Sequence, residues 1–206
     1  MSAATKSATP KLEKILIADD EHLVVEGLSK NLKQLDYLVL GACPNGEEAV
    51  EFCRRDRPDM ALLDIRMPKL NGLEAAKTIF GEMNIPVVIL SAFSDPEYTK
   101  VSADIGVFGY VLKPVTLDDL RVTLPVAWRL YLNHLESRDQ IQQLNQRLED
   151  RKTIEKAKWI LVEKLGVDEE NAMKRLQKQA RDNRRTLIDV ARGILENHQL
   201  FGQDEV

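Results

Sequence analysis

At 206 residues, with 44% hydrophobic and 30% charged side chains, the chain can bury a real core and is long enough for one large domain or two smaller ones. A formal net charge of -4 gives the total no nucleic-acid bias, and no run of about 18 apolar residues is present to span a membrane. Cys43 and Cys53 are too few for a disulfide scaffold and lack the second pair or the histidines of a zinc site, so they are expected as buried thiols in a reducing cytoplasm.

Met1 to Pro10 is rich in Ser, Ala and Thr without an apolar core, and reads as a disordered tail, not a signal peptide. Ile15-Leu16-Ile17-Ala18 is a short apolar run that stops at Asp19-Asp20-Glu21. Three acids at a strand end repel one another, and a hard cation such as Mg²⁺ is the simplest way to neutralise them. Leu23, Val24, Gly27, Leu28, Leu32 and Leu35 then recur at helical spacing. Tyr37 to Ala42 is a second strand, Asn45-Gly46 breaks the chain, and Glu47 to Asp56 places Ala49, Val50 and Cys53 on one helical face. Pro58 introduces Met60-Ala61-Leu62-Leu63, a run suited to a strand buried on both faces, which ends abruptly at Asp64. Pro68 to Gly72 is a loop, and Leu73, Ala76, Ile79 and Phe80 mark a helix. Pro86 to Leu90 is a strand ending at Ser91, a helix is expected from about Asp95 to Asp104, and Val107 to Leu112 is a fifth strand ending at Lys113-Pro114. Five βα units predict a doubly wound parallel sheet whose strand ends open on one face, where such sheets bind ligands.

Asp19, Asp20, Asp64, Ser91 and Lys113 all fall at that face. Taken singly, Asp64 could start a turn, Ser91 could cap a helix and Lys113 could be a solvated ammonium beside a turn proline. Taken together, three carboxylates suit Mg²⁺, a lysine neutralises incoming anionic oxygen and a hydroxyl donates to it. The set fits the placing of a phosphoryl group on a carboxylate, with Asp64 as nucleophile.

From about Lys14 to His134 the chain resembles the receiver domain of bacterial two-component response regulators, flavodoxin-like in fold. The resemblance rests on Leu16-Ile17-Ala18-Asp19-Asp20-Glu21, Leu63-Asp64-Ile65-Arg66-Met67-Pro68, Val88-Ile89-Leu90-Ser91-Ala92 and Tyr110-Val111-Leu112-Lys113-Pro114. It implies that Asp64 accepts phosphate from a sensor histidine kinase, without an independent turnover reaction. By the same resemblance Asp19, through water, Asp20 and the backbone carbonyl of Arg66 join Asp64 in holding Mg²⁺. Ser91 and Tyr110 become the pair that moves on phosphorylation, and Lys113 pairs with the phosphoryl oxygens. A plain core aromatic is the other reading of Tyr110.

Thr116 and Asp119 form a capping box that starts a helix, and Pro125 predicts a kink or restart near Val122 to Leu124. From Val126 no Gly or Pro appears until Gly166, and Ile141, Leu144 and Leu148 sit at a and d spacing. A short coiled coil and antiparallel packing on the same chain both fit these positions. Gly166 ends the helix, Asp168 caps a second that Asn183 closes, and Thr186 caps a third. Ala157, Ile160, Leu161 and Leu165, with Ala172, Met173, Leu176 and Ala180 and with Leu187, Val190, Ala191, Ile194 and Leu195, compose a small three-helix core.

Residues Arg151 to Leu200 hold 12 Lys and Arg against 8 Asp and Glu, so this segment stands at +4 and the remainder at -8. Lys174, Lys178, Arg181 and Arg185 fall at helical steps as a basic stripe, which fits either a solvated face or a phosphate-binding one. Arg151 to Leu195 resembles the ANTAR domain of RNA-binding transcription antiterminators, through Ile154-Glu155-Lys156-Ala157-Lys158-Trp159-Ile160-Leu161, Gly166, Ala172, Leu176, Gln177, Ala180, Arg184 or Arg185, Leu187 and Ala191. Trp159 stands where that family usually has Gly, and either packs on the core or offers a stacking surface for a base.

The expected organisation is a tail over 1–12, a receiver over 13–125, a coiled-coil linker over 126–150, a three-helix RNA-binding domain over 151–200 and a tail over 201–206. The two resemblances imply a phosphorylation-controlled antiterminator that binds structured RNA hairpins in nascent transcripts and forms a homodimer on phosphorylation. Lys158, Trp159, Lys174, Lys178, Arg181, Arg184 and Arg185 are its candidate RNA-binding residues. A DNA-binding regulator and a phosphorelay or scaffold protein without nucleic-acid output are the alternatives. Against DNA, the helical segment shows no short turn presenting a recognition helix.

Overall fold

The computed structural model describes residues 10–92 and 105–201, with side chains to His198. The helix expected from Asp95 to Asp104 lies outside the described residues. The chain divides into two compact units, one ending at Glu136 and the other beginning at Ser137.

The first unit holds five parallel strands, β1 (Lys14–Ala18), β2 (Leu38–Cys43), β3 (Met60–Asp64), β4 (Val87–Ser91) and β5 (Val107–Leu112), in the order β2-β1-β3-β4-β5. Side chains alternate between the two faces of a strand, and every residue of β3 and β4 is buried, as their continuous apolar runs require. Leu16, Ala61, Leu63, Val87 and Ile89 face one layer, built with Ala49, Val50 and Cys53 of α2 (Gly46–Asp56) and Ala75, Ala76 and Ile79 of α3 (Gly72–Met83). Ile15, Ile17, Met60, Leu62, Val88 and Leu90 face the other, with Leu28 and Leu32 of α1 (His22–Gln34) and Leu120, Leu124 and Ala127 of α4 (Leu117–Leu165). Burying each such Leu, Ile or Val contributes about 1.5–3 kcal/mol, so the two layers hold the strand ends in fixed register. Cys43 and Cys53 are both buried and free, and burial is the main cause that pushes their thiols up to about 11 and about 12. Neither is a reactive thiolate near neutral pH.

The start of α4 carries the expected capping box, with Thr116 Oγ1 accepting from Asp119 N at 3.2 Å and Asp119 Oδ2 accepting from Thr116 N at 2.9 Å. The restart expected at Pro125 does not occur, because α4 runs through it without interruption. Leu120, Leu124 and Ala127 anchor this stretch on the sheet, and Pro125 itself is exposed on the opposite side. Trp128 and Tyr131 also pack on the second layer, so the core of the unit continues past residue 125.

The second unit contains the end of α4 with α5 (Glu169–Asp182) and α6 (Leu187–Phe201). Gly166, at φ 60°, takes the left-handed conformation that closes α4 after Leu165, its N–H reaching Val162 O at 3.0 Å. Asp168 caps α5 by accepting from Asn171 N at 2.7 Å, and Thr186 caps α6 by accepting from Asp189 N at 3.2 Å. Ala157, Leu176, Ala180, Val190 and Ala191 form the buried core, with Ile154, Leu161, Met173, Leu187 and Ile194 against it. Leu165, expected in this core, is exposed at the terminus of its helix. Ile141, Leu144 and Leu148 are each more than half exposed, and no other described residue covers them.

Candidate functional site

The strand order reverses between β1 and β3, and an α/β sheet opens a crevice at such a point, beyond the strand carboxyl ends. Pairing of Ala18 with Leu63 and of Asp64 with Leu90 sets Asp19, Asp64 and Ser91 at one edge. Main-chain bonds carry the set outward on both sides, from Asp19 N to Cys43 O at 3.0 Å and from Lys113 N to Ser91 O at 2.8 Å.

Carboxylate oxygens of Asp19, Asp20 and Asp64 lie within 4.8 Å of one another, with Asp19 and Asp64 buried and Asp20 exposed. Lys113 Nζ sits 2.7 Å from Asp19 Oδ2 and 2.7 Å from Asp64 Oδ1, and 3.8 Å from Glu21 Oε1. Among the described residues the Lys113 ammonium is the group that faces Asp19 Oδ2, and no further donor reaches that oxygen. The second oxygens of the two buried acids are held by the backbone, Asp19 Oδ1 by Glu21 N at 3.0 Å and Asp64 Oδ2 by Arg66 N at 2.9 Å. Three hard oxygen donors gathered this closely fit a magnesium ion, and the orphaned Asp19 oxygen is one that such an ion would satisfy. Ser91 is buried and its hydroxyl donates to Ala92 O at 3.1 Å. Tyr110 packs against the α2/α3 layer, with its hydroxyl buried and without a hydrogen-bond partner among the described residues.

Burial raises the Asp64 carboxyl above its ordinary range, the hydrogen bond and charge of Lys113 oppose this, and the charge of Asp19 adds to it. Burial pulls the Lys113 ammonium down, and the contacts to Asp19 and Asp64 outweigh it, leaving a net rise. A carboxyl raised on folding contributes stability that is complete below its unfolded value and is lost as pH rises through the folded one. Without divalent cations, ionised Asp64 therefore costs stability near neutral pH. Asp64→Asn is expected to melt above the native chain at pH 7 in chelator, the gap closing toward pH 4. Calorimetry with added Mg²⁺ should then raise the native melting temperature and leave the variant nearly unmoved.

Gly72 was not legible as part of this site. A Cβ built on it would lie 2.0 Å from Asp64 O and 2.9 Å from the carbonyl carbon, so α3 approaches the end of β3 by backbone contact. A Cβ on Gly46, at the start of α2, would likewise lie 2.3 Å from Leu70 O, to which the Gly46 N–H donates at 3.1 Å. A glycine opening an otherwise apolar helix straight after the Asp64 loop was the available signal.

In the second unit the candidate cations separate into groups. Lys158 is buried, its ammonium 2.5 Å from Glu155 and 2.9 Å from Glu169, whose hydrogen bonds hold its pKa up. Its ammonium is engaged by these two carboxylates, and it ties the first turn of α5 to α4. Lys174 is exposed and pairs with Glu170 at 2.6 Å, a surface pair worth only about 0–1 kcal/mol and easily exchanged. Among the described residues no carboxylate lies within ion-pair distance of Lys178, Arg181, Arg184 or Arg185, all of them exposed. Arg185 leaves the expected stripe because α5 ends at Asp182, and Arg184 N and Arg185 N return to Arg181 O and Ala180 O at 3.1 and 2.9 Å. This closing turn puts Arg184 at φ 51°, a place glycine usually takes. Trp159 is 56% exposed, which removes the core reading of its ring.

The family model described as response regulator receiver domain matches residues 15–124, and that described as ANTAR domain matches residues 142–195. The chain is 34% identical over 190 residues to the transcriptional regulatory protein PdtaR of Mycobacterium tuberculosis, covering 92% of each. It is also 40% identical over 117 residues to the positive alginate biosynthesis regulatory protein of Pseudomonas aeruginosa, covering 56% of this chain and 47% of that one. Among solved structures, the signal receiver domain of a modulated diguanylate cyclase from Desulfovibrio desulfuricans G20 aligns with a TM-score of 0.55 at 34% identity, covering 60% of this chain and 99% of that one. An acidic crevice at the sheet switch point, followed by a helical unit with a cationic face, agrees with both matched models, and the chain belongs to the response-regulator family, among the members that carry an ANTAR domain after the receiver domain.

Proposed function

We propose that the chain takes a phosphoryl group onto Asp64 from a sensor histidine kinase and, so modified, binds structured RNA hairpins in nascent transcripts as an antiterminator. The observation that carries this reading is the joint approach of Lys113 to Asp19 and Asp64, with Asp20 beside them, at a buried strand end. An Asp64 oxygen attacks phosphorus, the P–N bond to the donor imidazole breaks, and an acyl phosphate forms as the imidazole leaves with the bonding pair. Asp19, Asp20 and Asp64, with the Arg66 carbonyl, would hold Mg²⁺, which supplies charge neutralisation to the transferring group. Lys113 turns its ammonium from the carboxylates to the phosphoryl oxygens. Ser91 and Tyr110, one hydroxyl donating to a neighbouring carbonyl and the other without a partner among the described residues, are free to repartner when the dianionic phosphoryl group arrives with its three oxygens. Uncovered Ile141, Leu144 and Leu148 supply the seam through which two copies pair on phosphorylation.

The RNA contact is assigned to Lys178, Arg181, Arg184 and Arg185, with Lys174 at its margin and Trp159 as an exposed ring able to stack. Lys178→Ala with Arg181→Ala tests it. Both side chains are exposed, so melting should move by under about 0.5 kcal/mol per site. Hairpin affinity should fall, and the slope of log affinity against log salt should flatten by about one unit or less per contact. Unchanged hairpin binding at unchanged melting would make this a solvated face, and equal competition by duplex DNA would remove RNA as the target.

A further inference from the structure

The acidic crevice lies beyond the carboxyl ends of the strands, and a second concavity lies at their other end, where β1 and β2 begin. This open hollow of about 730 Å³ is lined by residues 10–12 ahead of β1, by residues 35–37 between α1 and β2, and by one face of α4. Its volume is that of a small-molecule site, about 300–1,000 Å³. The floor is apolar, formed by buried Leu12 and Leu132 with half-buried Leu35. Half-buried Tyr37 and Trp128 stand as aromatic walls, and the Trp128 indole is fixed by its N–H, which donates to Pro10 O at 3.0 Å. Three exposed charges ring the mouth, Lys11, Asp36 and Arg129. Among the described residues Asp36 and Arg129 have no oppositely charged group within ion-pair distance. Lys11 has Glu13 at 3.1 Å, a surface pair that exchanges readily.

We propose that this hollow binds a free ribonucleotide, a second input to the first unit that is separate from the phosphoryl group on Asp64. Each part of the hollow matches one part of such a ligand. Aromatic rings stack on a base whatever its identity, which suits Tyr37 and Trp128. An unpaired carboxylate accepts from ribose hydroxyls, as acidic residues do in nucleotide sites on other α/β sheets, which suits Asp36. Ammonium and guanidinium groups hold phosphate oxygens, which suits Lys11 and Arg129. Other occupants fit less of the hollow. An aromatic acid without a sugar would bring its carboxylate toward Asp36 and leave that residue unmatched. A proline-rich peptide, which aromatic-lined grooves also take, would find the Trp128 N–H already given to Pro10. Because α4 supplies Trp128, Arg129 and Leu132 and also packs Leu120, Leu124 and Ala127 on the sheet, the ligand would brace that helix against the start of β1 and β2.

The test uses the full chain carrying Trp159→Phe, in which Trp128 is the sole tryptophan and reports on the hollow by its fluorescence. AMP, GMP, CMP and UMP are titrated in turn, each beside its nucleoside and its 2′-deoxy form, with inorganic phosphate as competitor. At least one ribonucleotide should quench Trp128 saturably, and its nucleoside should bind about 10-fold more weakly. Arg129→Ala should bring the nucleotide down toward its nucleoside. Asp36→Gly, which suits the left-handed backbone at φ 63°, should remove the preference for the ribose over the 2′-deoxy form, a change that a merely structural residue would not cause. Asp64→Asn should quench like the parent, since the crevice is a different site. No saturable quenching by any of the four at millimolar concentration, or quenching that both Arg129→Ala and Asp36→Gly leave unaltered, would overturn the assignment. Inorganic phosphate competing as well as the nucleotide would reduce the hollow to an anion site, and a short single-stranded RNA binding more tightly than the mononucleotide would give it to an RNA chain; either result overturns the proposal.

Discussion

Asp64→Asn is expected to abolish labelling of the chain by acetyl phosphate, and chelation of Mg²⁺ is expected to do the same to the native chain. The amide is close to the carboxylate in shape and still accepts from Arg66 N, held at 2.9 Å in the native site, so the strand end keeps its form. What it lacks is the anionic oxygen that attacks phosphorus to form the acyl phosphate. Asp19 and Asp20 are left in place, but Asp19 keeps one oxygen bonded to Glu21 N and the other against Lys113, and Asp20 is exposed. Neither is presented as the nucleophile. Unchanged labelling in the Asn variant would move the acceptor elsewhere and undo the reading of the crevice.

The second large effect is structural and reaches the same site. Gly72→Ala should destabilise the first unit by ~3 kcal/mol, since the new methyl would stand 2.0 Å from Asp64 O and 3.2 Å from Ile65 Cα, and both neighbours are backbone that cannot rotate away. Separation of α3 from the end of β3 would relieve the clash only by shifting Asp64 against Lys113. Phosphorylation should therefore slow even under conditions where the variant remains folded. Gly81→Ala, on the same helix with nothing within 4 Å of its Cβ, is the control and should raise stability slightly. A Gly72→Ala chain with native melting and native labelling would show that the close approach does not constrain the site.

Much of the first unit was legible because strands buried on both faces have to be apolar without interruption. Met60 to Leu63 and Val87 to Leu90 met that condition, and the polar residue ending each run marked the sheet edge where the crevice lies. The approach of Gly72 to Asp64 was hidden for a simple reason: it depends on where a following helix sits, and an empty side chain leaves no pattern of its own. The pairing of Lys158 was hidden for a related reason. On the helix alone it reads as one more solvent cation beside Glu155, and only the return of α5 brings Glu169 over it. Pro125 shows the opposite limit, since a local rule that forbids proline inside a helix was overridden by Leu120, Leu124 and Ala127 packing on the sheet around it. The basic stripe was half right in its positions, because helical spacing places Lys174, Lys178 and Arg181 together but does not say that α5 stops before Arg185.

The central claim is that phosphate on Asp64 governs RNA binding by the helical unit. Fluorescence anisotropy of one hairpin, titrated with the same preparation before and after acetyl phosphate and Mg²⁺, tests it most directly when sedimentation reports the oligomer in parallel. Tighter binding by about 5- to 150-fold after treatment, with dimer formation, is predicted for the native chain, and no change for Asp64→Asn. Equal affinity of native chain and Asn variant under both conditions would contradict the coupling.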